Sequence, residues 1–272
     1  MPTPGAENCF DTAVAALYER LLVPLIFAPY AQDLAARLTA LPLRDVLELA
    51  AGTGVVTRAL AARLTHADIV ATDLNPPMLA VARARRTARP VTWRQADALA
   101  LPFADGSFDA VLCQFGAMFF PDKPRAFAEA HRVLRPGGVL LFSVWDRIET
   151  NDFARRVHEA MADLFPADPP RFLARLPHGY HAPDAIRRDL ARAGFAGAPT
   201  IETVTACSRA DTAGVPALAY CQGTPLRGEI EARDSAGLER ATDRAAEAIA
   251  RDFGPGPVAG RIQARVVSVA RR

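Results

Sequence analysis

The sequence predicts an α/β fold in which a parallel sheet is covered by helices on both faces. Two observations carry that expectation. From residue 44 to residue 146, strand-like runs alternate with segments of helical spacing, the pattern that builds successive strand–helix–strand units. The first of these runs, beginning at Val46, is apolar, breaks at Gly52 and Gly54, and passes into a helical pattern at Val55. Strand, glycine turn and helix together bring backbone N–H groups close to a ligand.

Length and composition narrow the field. The chain has 272 residues, half of them apolar, enough for one large α/β domain or a domain with an insertion. A net charge of +2, with arginines spread through the predicted helices, gives no electrostatic footprint for nucleic acid or an anionic membrane. Cys9, Cys113, Cys207 and Cys221 are far apart and lack metal-like spacing with histidine, which predicts reduced thiols and a cytoplasmic protein. No secretory leader and no bilayer-spanning run is expected.

In chain order, an amphipathic helix is expected over residues 6 to 24, with Phe10, Val14, Leu17, Leu21 and Leu22 at helical spacing. Pro24 and Pro29 interrupt it before a second helix from Tyr30 to Leu41. Strand one covers Arg44 to Leu49, and strand two covers Ala67 to Thr72 and leads to Asp73. Asn75 and Pro76 predict a capped helix start, with the helix reaching about Ala88. Strand three is Val91 to Gln95. Asp105-Gly106-Ser107 is a turn, with Asp105 and Asp109 read as turn residues, and strand four is Phe108 to Cys113. A helix from Pro124 to Leu134 stops at Arg135-Pro136-Gly137-Gly138, and strand five is Val139 to Trp145. Beyond it the alternation loosens. Helices are expected at Asn151 to Phe165, at Pro183 to Ala193 and over much of 211 to 253. Strands are expected at Ile201 to Ala206 and Ile262 to Val269.

Ligands of an open parallel sheet bind beyond the carboxyl ends of its strands. Those ends supply Glu48 and the glycine loop, Asp73, Asp97, Gln114-Phe115-Gly116 and Trp145-Asp146. Glu48 ends an apolar strand, where a carboxylate is costly without a partner. Asp73 lies 19 positions after Gly54, about where a ribose-binding carboxylate is expected, and its competing role is to cap the next turn. Asp97 with Ala98 after strand three has two readings, a partner for the exocyclic amine of an adenine or a solvated loop carboxylate, and by itself the second is favoured.

Five ordered motifs now give a resemblance. They are Val-Leu-Glu-Leu-Ala-Ala-Gly-Thr-Gly from residue 46, Ala-Thr-Asp-Leu-Asn-Pro-Pro-Met-Leu from 71, and Gln-Ala-Asp-Ala-Leu-Ala-Leu-Pro-Phe from 95. Ser-Phe-Asp-Ala-Val-Leu-Cys-Gln-Phe from 107 and Arg-Val-Leu-Arg-Pro-Gly-Gly from 132 complete them. Residues 44 to 146 resemble the class I S-adenosylmethionine-dependent methyltransferases of the small-molecule group that includes the ubiquinone- and menaquinone-biosynthesis-type enzymes. One departure is visible: Ala50 stands where the family usually has glycine.

The resemblance implies a doubly wound Rossmann-like methyltransferase sheet of seven strands, the last antiparallel, with helical lid insertions. It implies S-adenosylmethionine as cofactor and a small, partly apolar molecule as methyl acceptor. Glu48, Ala50, Gly52, Thr53 and Gly54 then hold the methionine end. Asp73 takes the ribose hydroxyls, Leu74 and Met78 flank the adenine, Asp97 and Ala98 bind its amine, and Gln114 and Phe115 line the far side. Tyr18, Phe115, Phe119 and Trp145 are candidates to face the sulfonium cation, whose attraction to an aromatic face contributes ~1 kcal/mol. His178, Tyr180 and His181 are the candidates for a base, and Tyr220 for acceptor recognition. The expected layout is an N-terminal helical cap (1–43), a cofactor-binding core (44–146), a helical insertion (147–182), a continuation of the core (183–210), a helical substrate lid (211–257) and a final strand (258–272).

Three other readings compete. A nicotinamide dinucleotide oxidoreductase uses the same two glycines, but its third fingerprint glycine falls on Thr57. A nucleic-acid or glutamine N-methyltransferase is suggested by Asn75-Pro76-Pro77-Met78, which follows strand two rather than strand four and reads as helix capping. The third is a non-catalytic cofactor-binding protein that acts through a partner.

Overall fold

The structure, a computed structural model, describes residues 11–272. Cys9, Phe10 and the first turn of the expected N-terminal helix lie outside the described residues. The helix itself differs from expectation, because neither proline ends it. α1 (Thr12–Leu17), a π-helical stretch (Tyr18–Phe27) and α2 (Ala28–Leu38) form one continuous helix. Pro24 sits inside the π turns. A proline removes one N–H and crowds the carbonyl four residues back, and the wider π turn relieves that crowding. By length and composition this helix is long enough to cross a membrane, which the sequence reading did not expect. Leu22, Leu25 and Ile26, and further on Tyr30, Leu34 and Leu38, are buried inside the protein, as in a core helix.

The described residues form a seven-stranded sheet in the order β3-β2-β1-β4-β5-β7-β6. β1 (Asp45–Glu48), β2 (Asp68–Asp73), β3 (Thr92–Gln95), β4 (Phe108–Gln114) and β5 (Leu134–Trp145) pair in parallel. β7 (Val258–Ala270) inserts antiparallel to β5, and β6 (Thr200–Ala210) lies beyond it at the edge. The expected seven strands and antiparallel last strand are both present. β6 and β7 are longer than their apolar stretches suggested, because strand pairing extends over flanking polar residues that no hydrophobic pattern marks. Asp109 is not a turn residue. It lies within β4, and its carboxylate accepts from the backbone N–H groups of Arg44 and Asp45 and from Arg135 at 2.6 Å. The Arg135 guanidinium and those N–H groups hold the Asp109 carboxyl below its ordinary value.

The chain divides into two compact units. One comprises Ala28–Trp145, Tyr180–Val204 and Ala264–Arg272 and carries the five parallel strands. In it α2 and α3 (Val55–Arg63) bury Leu34, Leu38, Val56 and Leu60 against Val46, Ile69 and Leu112 of the sheet. α4 (Pro76–Ala84) packs on β2 and β3, and α5 (Lys123–Val133) lays Phe127 on Phe142 at 5.0 Å. α8 (Pro183–Arg192) packs beside α5.

The other unit comprises Met1–Phe27, Asp146–Gly179 and Thr205–Gln263. Its core is helical: α6 (Asp152–Leu164), α9 (Gly214–Gln222) and α11 (Leu238–Phe253) pack on one another. Two shorter helices, α7 (Phe172–Arg175) and α10 (Leu226–Glu231), join them, α7 lying between the helices expected at Asn151 to Phe165 and Pro183 to Ala193. Phe153 meets Phe253 edge-on at 5.3 Å.

Candidate active site

The apolar strand β1 carries Glu48 into the interior, where its side chain is 1% exposed. The Thr57 hydroxyl, one turn into α3, donates to Glu48 Oε2 at 2.6 Å, and the Thr72 hydroxyl donates to its backbone carbonyl. Burial pushes the Glu48 carboxyl up to about 8, with the Thr57 hydroxyl pulling the other way and the Asp73 charge adding to the rise. Glu48 is therefore largely protonated at pH 7 until a cation arrives to favour its charged form.

The loop that follows is built from left-handed residues. Ala50, Gly52 and Gly54 have φ of 50°, 57° and 81°, a region that costs a Cβ-bearing residue about 1–2 kcal/mol. Ala50 thus adopts the conformation for which the family uses glycine. At Gly54 a Cβ would also lie 2.6 Å from the Trp93 ring. Arg58 donates to the Thr53 carbonyl at 2.7 Å and ties the loop to α3. The Thr53 hydroxyl is buried and has no hydrogen-bond partner among the described residues. An orphaned buried hydroxyl is expensive, and an incoming polar ligand would satisfy it.

β2 ends on Asp73, also buried. Its Oδ2 accepts from the Gly52 N–H at 2.8 Å, and its Oδ1 accepts from the backbone and side-chain nitrogens of Asn75. These bonds restrain a carboxyl that burial pushes above its ordinary value. The capping role expected of Asn75 is corrected here. Asn75 sits at the start of α4, but its amide turns back to Asp73 and makes no cap bond. The Leu74 backbone N–H also bonds this carboxyl, so together with Gly52 and Asn75 the donors fill its about four acceptor positions. The Asn75 amide bond, at 3.1 Å, is the longest of the three from Gly52 and Asn75.

Beyond Asp73, Leu74 is 50% exposed, the more exposed of two large apolar side chains exposed among the described residues, whereas Met78 is buried. Asp97 is exposed and Ala98 half-buried. Asp97 accepts from the Leu99 N–H at 2.9 Å, an Asx turn that fixes the loop after β3.

At the end of β4, Gln114 is half-buried and Phe115 buried. Phe115 has φ of 52°, rare for a bulky residue. Its ring stacks on Trp145 with centroids 3.8 Å apart and planes 8° apart. Gly116 follows, packed so closely that a Cβ there would lie 2.5 Å from the Ala50 Cβ. Phe119 ends a 3-10 turn and is half-buried.

The unit with the parallel strands thus gathers Glu48, residues 50–54, Asp73, Gln114, Phe115 and Trp145 at the carboxyl ends of β1, β2, β4 and β5. In the same unit, the Tyr180 hydroxyl donates to Asp189 at 2.8 Å, and burial raises its phenol above the ordinary value. Both effects disfavour the phenolate a base needs. His181 is half-buried.

The remaining candidates lie in the helical unit. His178 is buried, with Nδ1 2.7 Å from the Asp146 carbonyl. A carbonyl only accepts, so Nδ1 carries the proton, and in the neutral ring the lone pair sits on Nε2. Asp146 in turn accepts from Gln263 Nε2 at 2.6 Å. Tyr220 is buried on α9. Tyr18 stacks on Phe27 at 4.9 Å.

Comparison with known proteins decides the family. Residues 47–142 match the family described as a methyltransferase domain. A demethylmenaquinone methyltransferase from Thermus thermophilus is 38% identical over 163 residues, which cover 56% of this chain and 74% of that protein. The chain belongs to the class I S-adenosylmethionine-dependent methyltransferases. An uncharacterized protein from Mycobacterium tuberculosis is 39% identical over 127 residues, but the methyltransferase spans only 46% of its length. Among solved structures, a methyltransferase from Bacillus halodurans superposes with a TM-score of 0.55 at 21% identity, covering 88% of this chain and 98% of that one. A phosphoethanolamine N-methyltransferase from Haemonchus contortus, solved with S-adenosylhomocysteine, superposes with a TM-score of 0.56 at 17% identity, covering 94% and 56%. At such identities these two show the fold.

The cofactor of this methyltransferase is S-adenosylmethionine. The residues present fit it: an orphaned hydroxyl on Thr53, a loop with no room for a Cβ at Gly54, two buried carboxylates, and exposed Leu74. The nicotinamide and non-catalytic readings fall with the family assignment. The nicotinamide pattern already failed at Thr57, whose hydroxyl serves Glu48. Tyr30 was missed. It packs edge-on against both rings of the Phe115–Trp145 stack, and a buried tyrosine in an apolar helical stretch gives no local sign of that.

Proposed function

We propose that this methyltransferase transfers a methyl group to a small, partly apolar acceptor of quinone-like character. One observation carries the acceptor class: the Thermus thermophilus relative named for demethylmenaquinone is 38% identical over about three-quarters of its own length. The apolar and aromatic content of the segments outside residues 44–146 supports an acceptor with an apolar body.

When bound, S-adenosylmethionine supplies a methyl group activated on a sulfonium sulfur, which keeps the bonding electron pair as the acceptor attacks in line. The protein's part is binding and orientation. Glu48 and residues 50–54 hold the methionine end, with the Thr53 hydroxyl as a polar contact. Asp73 holds the ribose, Leu74 and Met78 sandwich the adenine, and Asp97 with Ala98 meets its amine. Gln114 and Phe115 close the far side, and Phe115 and Trp145 present aromatic carbon to the cation. Fixing both reactants in line is worth on the order of 7 kcal/mol, so a dedicated base is optional, and the proton released from the methylated ring position of the reduced quinone passes to solvent.

The test is transfer of labelled methyl from S-adenosylmethionine to a panel comprising a reduced quinone with an open ring position, a phenol, an aliphatic amine and a thiol. Label is expected on the reduced quinone. Label confined to the amine or the thiol would overturn the acceptor class.

A further inference from the structure

The Phe115–Trp145 stack does not stand alone. Tyr30, on α2, is fully buried and meets both rings edge-on, at 5.2 Å from Phe115 and 5.4 Å from Trp145, with both interplanar angles at 89°. Edge-to-face contact sets the positive rim of one ring against the negative face of another, so Tyr30 favours the orientation observed for the pair. Its hydroxyl reaches the Val204 carbonyl on β6 at 3.3 Å, a long bond that adds little.

Phe115 needs such support. Its left-handed backbone is unfavourable for a residue with a large side chain, and strained conformations persist only where their surroundings over-determine them. Its backbone N–H donates to the Ser143 carbonyl at 3.0 Å. Its side chain belongs to the three-ring cluster. On the far side of the turn, Gly116 is pressed against Ala50 of the cofactor loop, so a shift at Phe115 passes directly to that loop.

We infer that Tyr30 is a positioning residue for the cofactor site, holding Phe115 in its left-handed conformation and through it the Gln114–Gly116 turn against the Ala50–Gly54 loop. This rests on the placement of Gln114 and Phe115 against the cofactor proposed above. Tyr30 makes no contact with the reacting atoms in this account.

The test compares Tyr30→Phe, which keeps the aromatic ring, with Tyr30→Leu, which keeps apolar bulk and removes it. Cofactor affinity is read by calorimetric titration with S-adenosylhomocysteine, ring order by near-ultraviolet circular dichroism, and folding by thermal melting. Gln114→Ala serves as a check on the placement. Tyr30→Phe should bind as the wild type does. Tyr30→Leu should melt cooperatively, lose part of the aromatic dichroism and bind at least fivefold more weakly. Wild-type affinity in a folded Tyr30→Leu protein whose dichroism has changed would overturn the inference. So would equal weakening in Tyr30→Phe, which would assign the effect to the hydroxyl. If Gln114→Ala alone binds normally, the placement fails instead.

Discussion

Replacing Glu48 with glutamine should stabilise the free protein and weaken its hold on S-adenosylmethionine. The two effects have one cause. Glu48 is buried, its carboxylate accepts from the Thr57 hydroxyl, and its carboxyl is pushed up from the ordinary value of 4.5 to about 8. In wild-type protein a raised carboxyl favours folding only where it is protonated in both states. That contribution is therefore complete below about pH 4.5, declines as pH rises towards 8, and is gone above it. Glutamine keeps an acceptor for Thr57 and carries no charge to bury. Glu48→Gln should accordingly match wild type at pH 4 and gain progressively between pH 5 and 8. Above pH 8 the gain should be constant, on the order of 3–5 kcal/mol. Thermal melting across pH measures this. A cation beside Glu48 reverses the preference. S-adenosylmethionine should release protons from wild type at pH 7, measurable as a buffer-dependent binding enthalpy, and bind Glu48→Gln at least tenfold more weakly. Equal stability of the two proteins at pH 9 would contradict the account.

Gly54→Ala should be severely damaging. At φ of 81° a Cβ costs about 1–2 kcal/mol, and this one would lie 2.6 Å from the Trp93 ring. Crowding of this kind costs about 1–3 kcal/mol more. A loss of about 3 kcal/mol is expected in denaturant unfolding, with near-complete loss of cofactor binding because the loop backbone must move. Trp93 is one of two tryptophans, so its displacement should shift the fluorescence. Wild-type stability and binding would show that the loop has slack which its packing denies.

Much of the fold was legible because its information is local. Apolar runs, the turn at Asp105–Ser107 and the glycine loop placed the five parallel strands to within a few residues, although strand five begins earlier, at Leu134, across a Pro-Gly-Gly stretch that reads as a turn. Errors arose where tertiary context overrode local chemistry. Pro24 reads as a helix breaker, yet π turns carry the chain past it. Asp109 reads as a turn residue, yet it serves as an acceptor that joins β1 to β4. The site residues expected at the strand ends are found there because topology alone puts them there. The conformations of Ala50 and Phe115 were not legible, since neither residue type advertises a positive φ. Nor was Tyr30, whose role depends on rings more than eighty positions away in the chain.

We propose that the carboxyl ends of β1, β2 and β4 hold S-adenosylmethionine with Asp73 on its ribose. Parallel calorimetric titration of wild type and Asp73→Ala with S-adenosylmethionine, S-adenosylhomocysteine and NAD tests it most directly. Wild type should bind the first two in the micromolar range and ignore NAD, and Asp73→Ala should lose at least tenfold in affinity, about 1.4 kcal/mol. Unchanged affinity in a folded Asp73→Ala protein, or binding of NAD alone, would contradict it.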